Sequence, residues 1–396
     1  MLNRRRFLQS ASLVSLAPLL PAFLPRSLGA AEAQDEGRVL VVIQLDGGND
    51  GLNTVIPFQD ERYAKARSEL RIRGKDVLKL NDGLGLNPGM KSAADLFERG
   101  ELTIVQGVGY PNPNRSHFES MAIWQHARLE AAEHDSIGWL GRTCDLHRTA
   151  RSPDSFFIGR NAVPVALRGR RAQSVSMESE ADLQLLTSID SAGSPDTDDL
   201  DVSAFIERTL DDSYLTAKRF QESAPAPVGS PVSYPTSRLG RHLQLISRMI
   251  KLGGETRIFY TLQSGYDTHY AQLFEHQQLL SEFSNALKSF LDDLKLSGLA
   301  DRVVVLAFSE FGRRVEENNS AGTDHGAAGP VFLAGTNVRG GIHGNHPSLT
   351  DLDDGDLKMQ FDFRQVYATL LDRWLNGDSK EILAGEFSLL PLIAGA

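Results

Sequence analysis

Five runs of nearly unbroken apolar residues punctuate the chain, at 38–45, 102–108, 257–262, 302–308 and 330–334. Short runs of Val, Ile, Leu and Phe without polar alternation predict strands that are covered on both faces. Between them, apolar positions recur at helical spacing over 88–98, 118–128, 238–252, 270–296 and 361–375, which predicts helices there. Strands alternating with helices predict an α/β fold, a mostly parallel sheet with helices on both faces. In such sheets, ligand sites gather beyond the carboxyl ends of the strands.

The middle of the chain breaks this rhythm. Residues 188–201 are dominated by Ser, Asp, Gly and Pro, and 222–236 carry Pro225, Pro227, Pro231 and Pro235 among small residues. Both stretches predict exposed loops, and they bracket a short acidic helix expected near 202–218. Residues 150–237 are therefore expected to form a peripheral excursion from a single domain spanning 34–396. No internal repeat is visible.

At the N-terminus, Arg4, Arg5 and Arg6 precede Phe7 and Leu8, and a stretch rich in Leu, Ala and Ser follows up to Leu24. Pro18 and Pro21 interrupt it, and it is shorter than the ~20 apolar residues of a bilayer span. Small residues at Gly29, Ala30, Ala31 and Ala33 then offer a cleavage site. The arginine pair points to export by the twin-arginine translocation machinery, with residues 1–33 removed and the remainder periplasmic or secreted. After it, no uninterrupted apolar run reaches membrane-spanning length.

The whole chain carries a net charge of -10, and four arginines with Glu32 in the first 33 residues leave the rest at about -13. An acidic body with no basic block lacks the footprint of a nucleic-acid binder. Cys144 is the single cysteine, so no intramolecular disulfide forms even in an oxidising compartment. It is expected as a small buried side chain.

Metal-competent residues collect where the expected strands end. Asp46 closes the first, Asp267 and His269 follow the third, Glu310 follows the fourth, and Asp324 and His325 precede the fifth. Carboxylates and imidazoles converging on one sheet edge suit a divalent cation such as Zn, Mg, Mn or Ca. Each alone also serves as an ordinary helix cap or turn residue. Ser116 stands just ahead of the helix expected at 118–128, where a hydroxyl faces the positive helix end; it fits a nucleophile, and it fits a cap with Glu119. Asn49, His117 and Arg313 are candidate substrate contacts. No Gly-x-Ser-x-Gly elbow, Walker loop or dinucleotide glycine motif is present.

Six stretches carry a resemblance. They are 45–54 (Leu-Asp-Gly-Gly-Asn-Asp-Gly-Leu-Asn-Thr), 116–118 (Ser-His-Phe), 138–142 (Gly-Trp-Leu-Gly-Arg), 266–269 (Tyr-Asp-Thr-His), 309–313 (Ser-Glu-Phe-Gly-Arg) and 323–326 (Thr-Asp-His-Gly). In this order they resemble the bacterial twin-arginine-exported proteins grouped as domain of unknown function 1501. That family looks like a remote branch of the alkaline phosphatase and sulfatase superfamily, whose members hydrolyse phosphate or sulfate esters with bound divalent metals. The resemblance implies an alkaline phosphatase-like fold, Asp46 as a first-strand metal ligand and Ser116 as nucleophile. It also implies one metal on Asp267, His269 and His325. Ser309 and Glu310 stand where the superfamily commonly has Asp-His, so the second shell, built from Asp46 and Glu310, lacks an imidazole. The implied function is an exported metal-dependent hydrolase of small-molecule phosphate or sulfate esters. The alternative is a non-catalytic periplasmic binding or scaffold protein on the same fold.

Overall fold

The first strand, β1 (Val39–Asp46), is buried along almost its whole length. Its side chains alternate between two cores, which explains why its sequence shows no polar alternation. Val39, Val41, Ile43 and Leu45 face one core. Leu40 and Val42 face the other. The structure is a computed structural model, and it describes residues 37–130, 136–147, 153–179, 182 and 230–395. The chain divides into Met1–Arg38 and Val39–Ala396, and the second unit holds every element below. The expected export segment and the helix expected near 202–218 lie outside the described residues.

The remaining main elements follow in chain order. They are α1 (Lys91–Glu98), β2 (Leu102–Gly109), α2 (His117–His126), α3 (Trp139–Leu146), β3 (Ser155–Ile158), β4 (Ser174–Met177), α4 (Arg238–Leu252) and β5 (Ile258–Ser264). Then come α5 (Gln272–Leu296), β6 (Val303–Phe308), β7 (Gly329–Ala334), β8 (Gly341–His343), β9 (Phe361–Asp362) and α6 (Phe363–Arg373). Helices α1, α4 and α5 bury apolar faces in one core, and α2, α3 and α6 in the other. All five expected strands and five expected helices are present, with ends shifted by a few residues. At α6 the cause is visible: Phe361 and Asp362 pair with β2 before the Asp362–Gln365 capping box starts the helix.

The sheet has nine strands in the order β8-β2-β7-β6-β1-β5-β3-β4, with β9 also pairing β2. Strand β1 pairs in parallel with β5 and β6, whereas β7 is antiparallel to both β6 and β2. This makes the sheet mostly parallel. It also returns the connection between β6 and β7 to the edge where β1, β5 and β6 end, which places residues 309–328 there. Inside the stretch expected to leave the sheet, β3 and β4 instead extend it beyond β5. Both are only four residues long, too short to show a period against the surrounding loops. Among the described residues, no helix is long and apolar enough to cross a membrane.

Candidate metal centre

The loop after β1 brings the carboxyl edges together. Gly47 has φ +119°, and a Cβ there would lie 2.5 Å from the Asp267 backbone nitrogen. Only glycine allows this close pass. The loop is then pinned from the β6 side, where the Gly47 N–H donates to Glu310 Oε1 at 3.0 Å. Ser309 Oγ accepts from the Asn49 N–H at 2.9 Å and donates to the Leu45 carbonyl at 2.7 Å.

Three histidines point into the space so formed. His117 is the first residue of α2, His269 follows β5, and His325 precedes β7. Each has its Nδ1 held by an acceptor: His117 by Glu310 Oε1 at 2.7 Å, His269 by Asp324 Oδ1 at 3.2 Å, and His325 by the Arg115 carbonyl at 2.7 Å. A carbonyl or carboxylate can only accept, so each Nδ1 carries a proton, and in its neutral form each ring presents an Nε2 lone pair. Those Nε2 atoms converge on Asp267 Oδ1, at 3.1 Å from His325, 3.1 Å from His269 and 3.4 Å from His117. His269 Nε2 and His325 Nε2 are 2.9 Å apart, and His117 Nε2 is buried without a hydrogen-bond partner.

Facing lone pairs repel unless a cation stands among them. Two ligands ~2.1 Å from one ion lie no more than about 4.2 Å apart; the distances above satisfy this. The donor atoms of His117, Asp267 and His325 all lie within 4.8 Å of one another. With every imidazole oriented from behind by a carboxylate or carbonyl, the donor set fits a divalent metal.

Electrostatics follow the same geometry. Burial pushes the Asp267 carboxyl up, but the Arg313 hydrogen bond and the neighbouring His325 and His269 outweigh it and hold the group well below the usual carboxylate range. The Glu310 hydrogen bond raises His117 against the effect of its burial. Burial and the neighbouring Glu310 charge raise Asp46.

Several residues take roles other than those expected from sequence. Glu310, expected as a ligand of a second metal, has its carboxylate occupied by His117 and the Gly47 N–H; it positions His117. Asp324 orients His269 in the same way. Asp46 lies outside the converging cluster and accepts from Gln44 at 2.8 Å and from Ser264 at 3.4 Å. Arg313, expected as a substrate contact, is buried. It donates to the Gly47, Gly48, Tyr266 and Thr323 carbonyls and to Asp267 Oδ1, and its Nη1 lies 3.5 Å from His269 Nε2. Asn49 is buried too, its Oδ1 bonded to Thr54 and His276. His117, expected beside the substrate, belongs instead with the converging imidazoles. Ser116 is exposed at the start of α2 and makes no side-chain capping bond. Cys144 is buried as expected.

Comparison with known proteins adds the family. No curated protein matches the chain. Among solved structures, the PsFucS1 sulfatase from Pseudoalteromonas sp. is similar at 11% identity and a TM-score of 0.44, covering 92% of this chain and 72% of that one. A protein in the alkaline phosphatase superfamily from Vibrio parahaemolyticus is similar at 11% identity and a TM-score of 0.41, covering 89% and 69%. The phosphonate monoester hydrolase SpPMH from Silicibacter pomeroyi is similar at 9% identity and a TM-score of 0.39, covering 88% and 75%. A family model described as "Protein of unknown function (DUF1501)" matches residues 37–384, and the chain belongs to that family.

Proposed function

We propose that this chain is an exported metal-dependent hydrolase of phosphate or sulfate esters. The observation that carries the reading is the convergence of three imidazole Nε2 atoms on Asp267, each ring with its Nδ1 already committed. His117, Asp267, His269 and His325 would hold the ion. Imidazole-rich sets favour Zn and the later transition metals over Mg, Mn and Ca, which suit oxygen ligands. When bound, such a cation supplies positive charge to an ester oxygen.

The chain's own groups do the rest. Ser116, between Arg115 and His117, presents a hydroxyl with no capping bond at the positive end of α2, where an attacking alkoxide is stabilised. Glu310 and Asp324 hold two rings in the required tautomer, and Arg313 fixes the loops that carry Asp267 and Thr323. Residues 1–33 direct the precursor to the twin-arginine route.

Arg313 favours a second reading, a non-catalytic binding or scaffold protein, because its guanidinium already lies 2.6 Å from Asp267 Oδ1 and compensates that charge. Elemental analysis of protein purified from the periplasm separates the two, followed by a panel of phosphomonoesters, phosphodiesters and sulfate esters. The hydrolase reading requires stoichiometric metal that a chelator removes together with ester hydrolysis. A stable metal-free protein that turns over no ester after reconstitution supports the scaffold.

A further inference from the structure

Beyond the carboxyl end of β2, the loop that leads to α2 and a hairpin of Leu352–Asp353 with Asp356–Leu357 enclose a cavity of about 480 Å³. It adjoins the candidate metal centre. Arg115 lines it, the Arg115 carbonyl holds His325 Nδ1 at 2.7 Å, and Ser116 is the next residue. The charged lining residues are Arg115, Asp353, Asp354, Asp356 and Lys358. Arg115 donates to Asp356 Oδ2 at 2.6 Å and to Asp354 Oδ2 at 3.0 Å, and Lys358 pairs with Asp351. Arg314 adds ion pairs to Asp354 at 3.3 Å and to Asp356 at 3.4 Å. Four carboxylates thus meet three cations. Among the described residues, the exposed Asp353 side chain makes no hydrogen bond or ion pair, so its charge is the one left over.

Asp356 adds an independent feature. It is 2% exposed, and its Oδ1 is buried without a hydrogen-bond partner, with Arg314 Nε standing off at 3.4 Å. Burial pushes its carboxyl up even though Arg115 bonds the other oxygen. A buried acceptor left in this state costs stability until a donor reaches it. Asp353 and Asp356 stand opposite each other in the hairpin register, so their side chains leave the same face of it.

We propose that this cavity binds an alcohol that carries a primary ammonium group, which donates to Asp356 Oδ1 and balances the charge of Asp353. An ammonium has three donors and no acceptor, so one group serves both carboxylates. A neutral polyol would satisfy the oxygen and leave the charge, and an anion would meet the wrong sign. The volume suits an alcohol of monosaccharide size, such as an amino sugar. Its place beside Ser116 makes this alcohol one half of the ester substrate, a step that rests on the hydrolase reading; binding of the amine does not.

Calorimetric titration of the full chain at about pH 6, where an amine keeps its proton, compares glucosamine 6-phosphate with glucose 6-phosphate and glucosamine with glucose. The amine is expected to tighten binding about tenfold in both pairs. Asp353 is exposed, so Asp353→Asn should fold normally and reduce that preference to about twofold or less, and Asp353→Lys should reverse it. Hydrolysis of the two esters is followed separately. An amine preference that Asp353→Asn abolishes, without hydrolysis of either ester, upholds the amine site and overturns the hydrolase reading. Hydrolysis of both esters at equal affinity upholds the hydrolase and overturns the amine site. Equal affinity without hydrolysis overturns both, and a preference that survives Asp353→Asn and Asp353→Lys overturns the amine site.

Discussion

Replacing Asp50 with Ala should destabilise the protein far more than an ordinary loop substitution. Asp50 and Arg67 form an ion pair at 2.6 Å with both side chains 0% exposed. Arg67 also donates to the Val315 carbonyl at 2.6 Å and the Arg314 carbonyl at 2.7 Å, so the pair clamps the loop after β1 onto the segment beside Arg313. Removing one partner leaves a buried charge uncompensated, which costs about 3–5 kcal/mol. At roughly 2 °C per kcal/mol for a chain of this size, the melting temperature should fall by roughly 6–10 °C. Asp50 makes no side-chain capping bond to the short helix Gly51–Thr54, so lost capping does not add to this. Differential scanning calorimetry of Asp50→Ala, Arg67→Met and the double variant measures it. The double variant should recover part of the loss, because deleting both charges removes the unpaired one. The sign with pH is also fixed. Burial opposes ionisation of Asp50, but Arg67 outweighs it and the folded carboxyl is depressed. The pair's contribution is therefore complete above the unfolded value of about 4 and fades as pH falls through the folded value. The gap between wild type and Asp50→Ala should narrow at acid pH. A shift below about 2 °C at pH 7, or single-variant losses that simply add, would refute the clamp.

Three other perturbations have defined outcomes. Asp324→Ala removes the carboxylate behind His269 and should weaken metal affinity by about 10–100-fold in chelator competition; unchanged affinity would deny Asp324 its orienting role. Ser116→Ala and Ser116→Asp should each change stability by less than about 0.5 kcal/mol, since the hydroxyl makes no cap, and should retain metal while losing ester hydrolysis. A Ser116→Asp protein that still hydrolysed ester would remove Ser116 as attacking group. Replacing Arg5 and Arg6 together with Lys should leave the precursor in the cytoplasm on fractionation, because the route reads arginine rather than charge; normal periplasmic accumulation would overturn the export assignment.

The parts of the fold legible in the sequence are those with both faces buried. Val39 to Ile43 read as a strand because two helix layers leave no polar position, and 238–252 read as a helix because one apolar face recurs through Leu239, Leu243 and Ile246. Strands β3 and β4 escaped notice because four residues such as Ser-Phe-Phe-Ile carry no period of their own. Their strand character comes from pairing, β3 with β5 and β4 with β3. The direction of β7 was equally hidden, since antiparallel and parallel neighbours bury the same residue types.

The same distinction divides the candidate metal centre. Residue type placed Asp267, His269 and His325 at strand ends, but type alone could not tell a carboxylate that coordinates from one that orients. That difference is made by partners remote in sequence. His117 of α2 is held by Glu310 after β6, and His325 before β7 is held by the Arg115 carbonyl before α2. The two tethers tie the same pair of loops in opposite directions, so neither ring reaches its tautomer and aim until both loops have docked. Glu310 therefore resembles a ligand in the sequence and acts as a support in the fold. His117, beside a conspicuous serine, resembles a substrate contact and turns toward Asp267 and His325. A carbonyl oxygen such as that of Arg115 leaves no mark in the sequence at all, although it fixes the proton on His325 as firmly as a carboxylate does on the other two rings.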